Sequence, residues 1–235
     1  MNLAILKINN LTKIYPKSDK GIKEISFEVP TGDFHSFIGE NGAGKTTTIK
    51  TIIGLYTKYT GEILIDGISS KEESSKSIIG YVPEVANFPK ELTTNAYLKY
   101  LALLSNIDSK IAQNRIDEML KKFGIYDLKN KCPYSFSSGQ KKKVLLIQAL
   151  IHKPKLLILD EPSANLDPTA RFELFTLLNE LKKEGVTIFI SSHILTEIDR
   201  YTDSLTLIHN GEILYNGKKY SNLENIFYDK VIKNN

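Results

Sequence analysis

The sequence predicts an α/β domain, a mainly parallel sheet interrupted once by a block of helices. Strand-like and helix-like patterns alternate along most of its length, the order that winds a chain into parallel strands with helical crossovers. The run Leu156–Leu159 is apolar without a break, as a strand covered on both faces requires. Between about Thr93 and Ile151 strand signals vanish and helical spacing takes over, which marks the inserted block.

The opening third is rich in strands: Leu3–Ile8, Ile25–Val29, Phe34–Ile38, Glu62–Ile65 before an Asp66-Gly67 turn, and Ile79–Val82. One early helix is expected from Gly44 to about Ile53, with Gly54 as its stop. In the inserted block Ile111, Ile116, Met119, Leu120 and Phe123 share one helical face, and Gly124 ends it. The sheet pattern resumes with Leu156–Asp160. Asp167-Pro168 opens a helix whose buried face carries Leu174, Phe175, Leu177, Leu178 and Leu181, and Gly185 closes it. Val186–Ser191 is a further strand, and Leu205–His209, Asn210-Gly211 and Glu212–Tyr215 read as a hairpin. The segment from Lys218 onward is polar with a short apolar patch and carries no assignment.

At 235 residues the chain can bury an extensive core in one large domain or two small ones. Its 41% hydrophobic and 25% charged residues are near the soluble average and exclude disorder. No apolar run approaches the roughly 18 residues of a membrane span; even Val144–Ile151 is short and carries Gln148. Met1–Asn10 lacks the features of a signal peptide, and a single cysteine, Cys132, permits neither an internal disulfide nor a Cys-based zinc site. A reducing, cytoplasmic setting is expected. The net charge is +4, but only three of the 31 basic residues are Arg, the side chain best suited to bidentate base and phosphate readout. A solvated, Lys-rich surface accounts for the charge, and no nucleic-acid partner is expected.

Gly39-Glu40-Asn41-Gly42-Ala43-Gly44-Lys45-Thr46 matches the phosphate-loop pattern G-x-x-x-x-G-K-[ST], and it sits between a strand and a helix as the mechanism demands. Its glycines let backbone N–H groups approach phosphate oxygens, and the helix N-terminus adds its positive dipole end. Lys45 supplies a cation near the β and γ phosphates, and Thr46 places a hydroxyl on Mg²⁺. Asp160 and Glu161 end the apolar strand that begins at Leu156. Asp160 can reach the metal through a water, and Glu161 is placed as general base for an attacking water.

These residues resemble the nucleotide-binding subunit of ABC transporters over almost the whole chain. Phe136-Ser137-Ser138-Gly139-Gln140 is similar to the family signature Leu-Ser-Gly-Gly-Gln and lies, as in the family, between the phosphate loop and the Asp160-Glu161 strand. The resemblance implies that Ser137, Ser138, Gly139 and Gln140 cap the γ-phosphate of ATP held by a second subunit on Gly39–Thr47. Phe136 replaces Leu, and Ser138 replaces a Gly, adding a Cβ and a hydroxyl close to that phosphate. Tyr15 resembles the aromatic that stacks on adenine; a plain surface aromatic is the alternative. Ser163–Asp167 looks like the loop that links two ATP sites, and Asp167 reads equally as a helix cap. His193 resembles the switch histidine at the γ-phosphate, while His35, His152 and His209 read as structural. Glu84 stands after Gly80-Tyr81-Val82-Pro83, where the family commonly has Gln; a carboxylate retains metal contact, and this variant resembles bacterial ATPases that serve separately encoded export permeases.

The implied fold is a P-loop NTPase cassette with a RecA-like mixed sheet core, an antiparallel β subdomain and an inserted helical subdomain. As one domain it would divide into a sheet lobe (1–86 and 152–217), a helical signature lobe (87–151) and a tail (218–235). The implied activity is ATP hydrolysis with Mg²⁺ by a head-to-tail pair, expected to be a homodimer, on the inner face of the cell membrane beside an integral permease. A soluble relative in iron–sulfur assembly is the rival, since Phe136-Ser137 and Lys141–Lys143 are similar to it; Asp160–Pro168 is closer to transporter subunits. A GTPase would require Asn-Lys-x-Asp, which is absent, and a small-molecule kinase would leave Ser137–Gln140 and His193 without a use.

Overall fold

In the computed structural model, residues 3–16, 18 and 20–233 are described. Two sheets share the strands. An antiparallel sheet is ordered β2 (Gly21–Pro30), β1 (Ala4–Ile14), β4 (Thr60–Ile65), β5 (Ile68–Ser69). The larger sheet is ordered β10 (Glu212–Lys218), β9 (Ser204–His209), β3 (Phe34–Ile38), β8 (Thr187–Ser192), β7 (Leu156–Leu159), β6 (Ile79–Val82). Every pairing in it is parallel except that of β10 with β9.

The parallel reading therefore holds for the larger sheet, while the first strands pair antiparallel in a sheet of their own. β1 runs to Ile14 rather than ending at Ile8, and β2 starts at Gly21 rather than Ile25. Bulges near Asn10, at φ 48°, and left-handed Glu24, at φ 49°, break the alternation that a sequence pattern depends on. The hairpin at Asn210-Gly211 is present, and its tip is tied inward: Gly211 N–H donates to Ala43 O at 3.0 Å.

Helix α1 (Lys45–Ile52) follows β3 directly, and Gly44 precedes it at φ 113°, a conformation open to glycine. The short helix α2 (Glu73–Lys76) comes before β6. Between β6 and β7 lie α3 (Thr94–Leu104), α4 (Ser109–Lys122) and α5 (Ser138–Leu150). On α4 the inward stripe is Ala112, Ile116 and Leu120, each fully buried, and Ile111 is 49% exposed. The small Ala112 occupies the place the sequence pattern assigns to Ile111. Helix α6 (Pro168–Lys183) begins as expected: Asp167 Oδ1 accepts from Ala170 N–H at 2.9 Å, and Pro168 fills the first turn.

The apolar side chains form two cores, one on each face of the larger sheet. The first lies between the sheet and α3–α6; the second lies between the two sheets and α1, where Phe27 stacks on Phe37 at 5.4 Å. Burying each such side chain contributes about 1.5–3 kcal/mol. The unassigned end of the chain joins the first core through α8 (Leu223–Phe227) and a π-helical turn at Tyr228–Ile232, with Leu223, Ile226 and Val231 buried. It docks after α7 (Leu195–Ile198), where the Asp199 carboxylate accepts from Leu223 N–H at 2.7 Å and pairs with Lys219 at 3.0 Å.

Candidate nucleotide site

Parallel pairing of β3, β8 and β7 brings the carboxyl ends of three strands side by side. Ile38 lies opposite Ser192, and Leu159 opposite Ile190. The phosphate loop leaves β3, Asp160 and Glu161 leave β7, and His193 leaves β8, at the edge where open parallel sheets bind ligands. A cavity of about 280 Å³ results, lined by Asn41, Gly42, Gly44, Lys45, Thr46, Thr47, Glu84, Glu161 and His193. The loop sits tightly on the sheet: a Cβ at Gly39 would lie 2.3 Å from Ile208 O on β9.

Lys45 is 6% exposed. Its ammonium donates to Gly39 O at 2.7 Å and Glu40 O at 3.1 Å, and lies 3.4 Å from Glu161 Oε1. The other Glu161 oxygen takes His193 Nδ1 at 2.9 Å, so one carboxylate joins the lysine to the histidine. Glu161 has φ 43°, a left-handed backbone held by its N–H donating to Ser191 Oγ at 2.9 Å. Ser191 passes its own proton to Asp160 Oδ1 at 2.8 Å, and Thr46 Oγ1 donates to the same oxygen at 3.3 Å.

Thr46 and Asp160 thus converge, and Glu84 lines the same cavity. Among the described residues no three His, Cys, Asp or Glu side chains gather into a metal cluster. A sparse oxygen donor set of this kind fits Mg²⁺, which keeps several waters and takes one or two carboxylates together with substrate phosphates.

Tyr15 follows β1 and reaches the same loop: its hydroxyl shares a hydrogen bond with Thr47 Oγ1 at 2.9 Å, and its ring meets Tyr56 edge-on with centroids 5.9 Å apart. Ser137–Gln140 does not line the cavity. It opens α5 as a capping box, with Ser137 Oγ accepting from Gln140 N–H at 3.3 Å and Gln140 Oε1 accepting from Ser137 N–H at 3.1 Å. Ser137 and Ser138 are exposed.

The sequence profile described as "ABC transporter" matches residues 22–164. A "Putative ABC transporter ATP-binding protein" of Mycoplasma pneumoniae is 50% identical over 217 residues, 91% of this chain and 67% of that protein. This chain belongs to the ABC transporter ATP-binding family. The "Bacitracin transport ATP-binding protein BcrA" of Bacillus licheniformis is 40% identical over 215 residues, 90% of this chain and 69% of that protein. A solved "ATP binding subunit of ABC transporter" superimposes with a TM-score of 0.83 at 32% identity, covering 96% of this chain and 92% of its own.

As an ABC transporter ATP-binding subunit, the protein binds ATP and hydrolyses it as part of transport. Two residues that touch the site of the ABC cassette, and one that braces it from outside the cavity, carry no signal in the sequence. Ser191 ties Asp160 to Glu161 but lies in an ordinary strand run, and Tyr56 meets Tyr15 only through folding. Lys142 is 4% exposed and donates to Pro83 O at 3.1 Å and Glu84 O at 3.0 Å. Burial pushes its ammonium down to about 8, against the opposing pull of Glu84 and Asp160. Within Lys141–Lys143 nothing in the sequence separates it from its neighbours.

Proposed function

We propose that this subunit works as one half of a head-to-tail ATPase pair that drives a separate integral permease in export. One observation carries the reading: Ser137–Gln140 opens α5 at an exposed surface and is missing from the lining of the phosphate cavity. A helix N-terminus with free N–H groups suits a phosphate. A second chain placed head to tail would bring this segment to the ATP. The name of the bacitracin relative supports a transport role, and the Glu84 variant supports one of the export type; the relatives named above leave iron–sulfur assembly without support.

Within one site, Gly39–Thr47 cradles the phosphates and Tyr15 stacks on the base. Lys45 exchanges its contacts with Gly39 O, Glu40 O and Glu161 for phosphate oxygens, which leaves Glu161 free to take the proton of the attacking water. That water's oxygen bonds the γ-phosphorus as the bond to the bridging oxygen breaks. His193 holds the Glu161 carboxylate in line through Nδ1. Thr46, Asp160 and Glu84 would hold Mg²⁺, which supplies charge neutralisation between the phosphates.

No helix among the described residues is long and apolar enough to cross a membrane. The membrane-spanning partner is expected at the surface after Glu84, on the inner face of the cell membrane. Val85 is 61% exposed there, Phe88 packs on Tyr97 of α3 at 5.2 Å, and Tyr100, Leu103 and Leu104 leave an apolar stripe on that helix.

The test is Glu161→Gln. It should bind ATP, lose turnover, and accumulate as a dimer in ATP but not in ADP by size-exclusion chromatography. A variant that stays monomeric in saturating ATP would overturn the pairing, and near-normal hydrolysis would overturn the base assignment. Co-purification of tagged protein from membranes then identifies the permease.

A further inference from the structure

The chemistry above leaves one buried cation without a task. Of the three consecutive lysines, Lys143 pairs with Glu173 at 2.9 Å, and Lys141 lies 5.8 Å from the exposed Tyr134 ring. Lys142 alone of the three is buried. An ammonium taken out of water is costly unless its protons find acceptors. Both of the acceptors recorded for it, Pro83 O and Glu84 O, belong to the segment that leaves β6.

That segment is also part of the nucleotide cavity, because Glu84 lines it. The opposite end of the connection is α5 itself, where Lys142 sits within the second turn and Ser137–Gln140 forms the first. Farther along the same helix, Gly80 of β6 gives Ala149 close passage; a Cβ at Gly80 would lie 2.3 Å from Ala149 O. Lys142 and Ala149 are two turns apart, about 10 Å along one face. Helix α5 is therefore fixed at two points to a single strand and its outgoing segment, and the nearer point is held by Lys142.

We propose that Lys142 is a positioning residue, binding the orientation of Ser137–Gln140 to the position of Glu84 in the same chain. When Glu84 is drawn toward the phosphates, its carbonyl and that of Pro83 shift, and the ammonium carries α5 with them. A chain that has filled its own site thereby presents its signature segment correctly to the partner's ATP. The proposal rests on the paired reading above.

The experiment uses the Glu161→Gln chain as the reference dimer. Lys142→Met keeps most of the stem and removes the donors; in that background it should weaken ATP-dependent dimerisation about tenfold, within the range by which residues touching neither ligand shift a coupling. The affinity of the monomer for a fluorescent ADP analogue should stay unchanged, since Lys142 does not line the cavity. Lys142→Arg should restore dimerisation. If Lys142→Met fails to give a folded monomer, Lys142→Leu, which also lacks donors, is read by the same criteria. Should Glu161→Gln alone remain monomeric, the paired reading falls. Should it dimerise while the Lys142→Met version dimerises equally well, or loses nucleotide affinity in parallel, the positioning role is overturned.

Discussion

Acid should loosen the strand that delivers the phosphate loop, and His35 is the group responsible. It lies in β3, fully buried between the sheets, with its ring stacked on Phe189 at 5.7 Å. Nδ1 is 2.8 Å from Ser204 Oγ, and Nε2 is 2.8 Å from Thr206 Oγ1. Ser204 gives its hydroxyl proton to Asp33 Oδ2 at 2.7 Å, so it accepts from Nδ1–H. Thr206 accepts from Asn216 Nδ2 at 2.9 Å and turns its own proton to the Nε2 lone pair. The neutral ring is satisfied on both sides, and a second proton would meet a donor.

Burial accordingly pushes His35 from 6.5 down to about 3. Below pH 6.5 the unfolded chain binds a proton that the folded chain refuses. Stability from this group is complete above about pH 6.5 and falls by about 1.4 kcal/mol per pH unit as the pH drops toward 3. Between about pH 7.5 and about pH 5 the loss is about 2 kcal/mol. Urea unfolding followed by circular dichroism at both pH values measures it, and His35→Gln is the control, since carboxylates that titrate in both proteins cancel. The variant should be less stable at the higher pH yet lose about 2 kcal/mol less on acidification. Equal losses in the two proteins would refute the account.

Two further substitutions probe the nucleotide site. Gly39→Ala drives a methyl against Ile208 O, so it should cost about 1–3 kcal/mol in a thermal melt and abolish binding of a fluorescent ATP analogue; unchanged affinity would show that the loop has room to shift. Tyr15→Ala should weaken that analogue by about 1–3 kcal/mol through lost stacking, and Tyr15→Phe by much less, because it loses only the hydroxyl's bonds to Thr47 and Tyr56. Equal effects would place the hydroxyl, not the ring face, at the base.

Much of the site was legible because its parts are short and local. Gly39–Thr46 must be a loop between strand and helix for its backbone to meet phosphate, and Ser137 with Gln140 closes its own capping box three residues apart. Asp167 likewise declares a helix start through Pro168 and Ala170. Where a pattern depended on distant neighbours it misled: Ile111 fits a helical stripe by spacing, yet Ala112 is what the facing helices admit. The polar stretch after Lys218 gave no signal because α8 is held by Asp199 and by the first core, not by its own propensity.

By itself the sequence determined which chemical groups exist and which short segments carry them, since dihedral demands and hydrogen bonds within a few residues are written in adjacent side chains. The tertiary structure decided which of those groups meet. Only the insertion of β3 between β8 and β9 aligns Thr46, Asp160 and Ser191 and sets Glu161 between Lys45 and His193. Only the packing of α5 on β6 singles out Lys142 from two identical neighbours. Strand order and helix docking are chosen by burial of apolar faces over the whole chain, a cooperative quantity that no local segment contains.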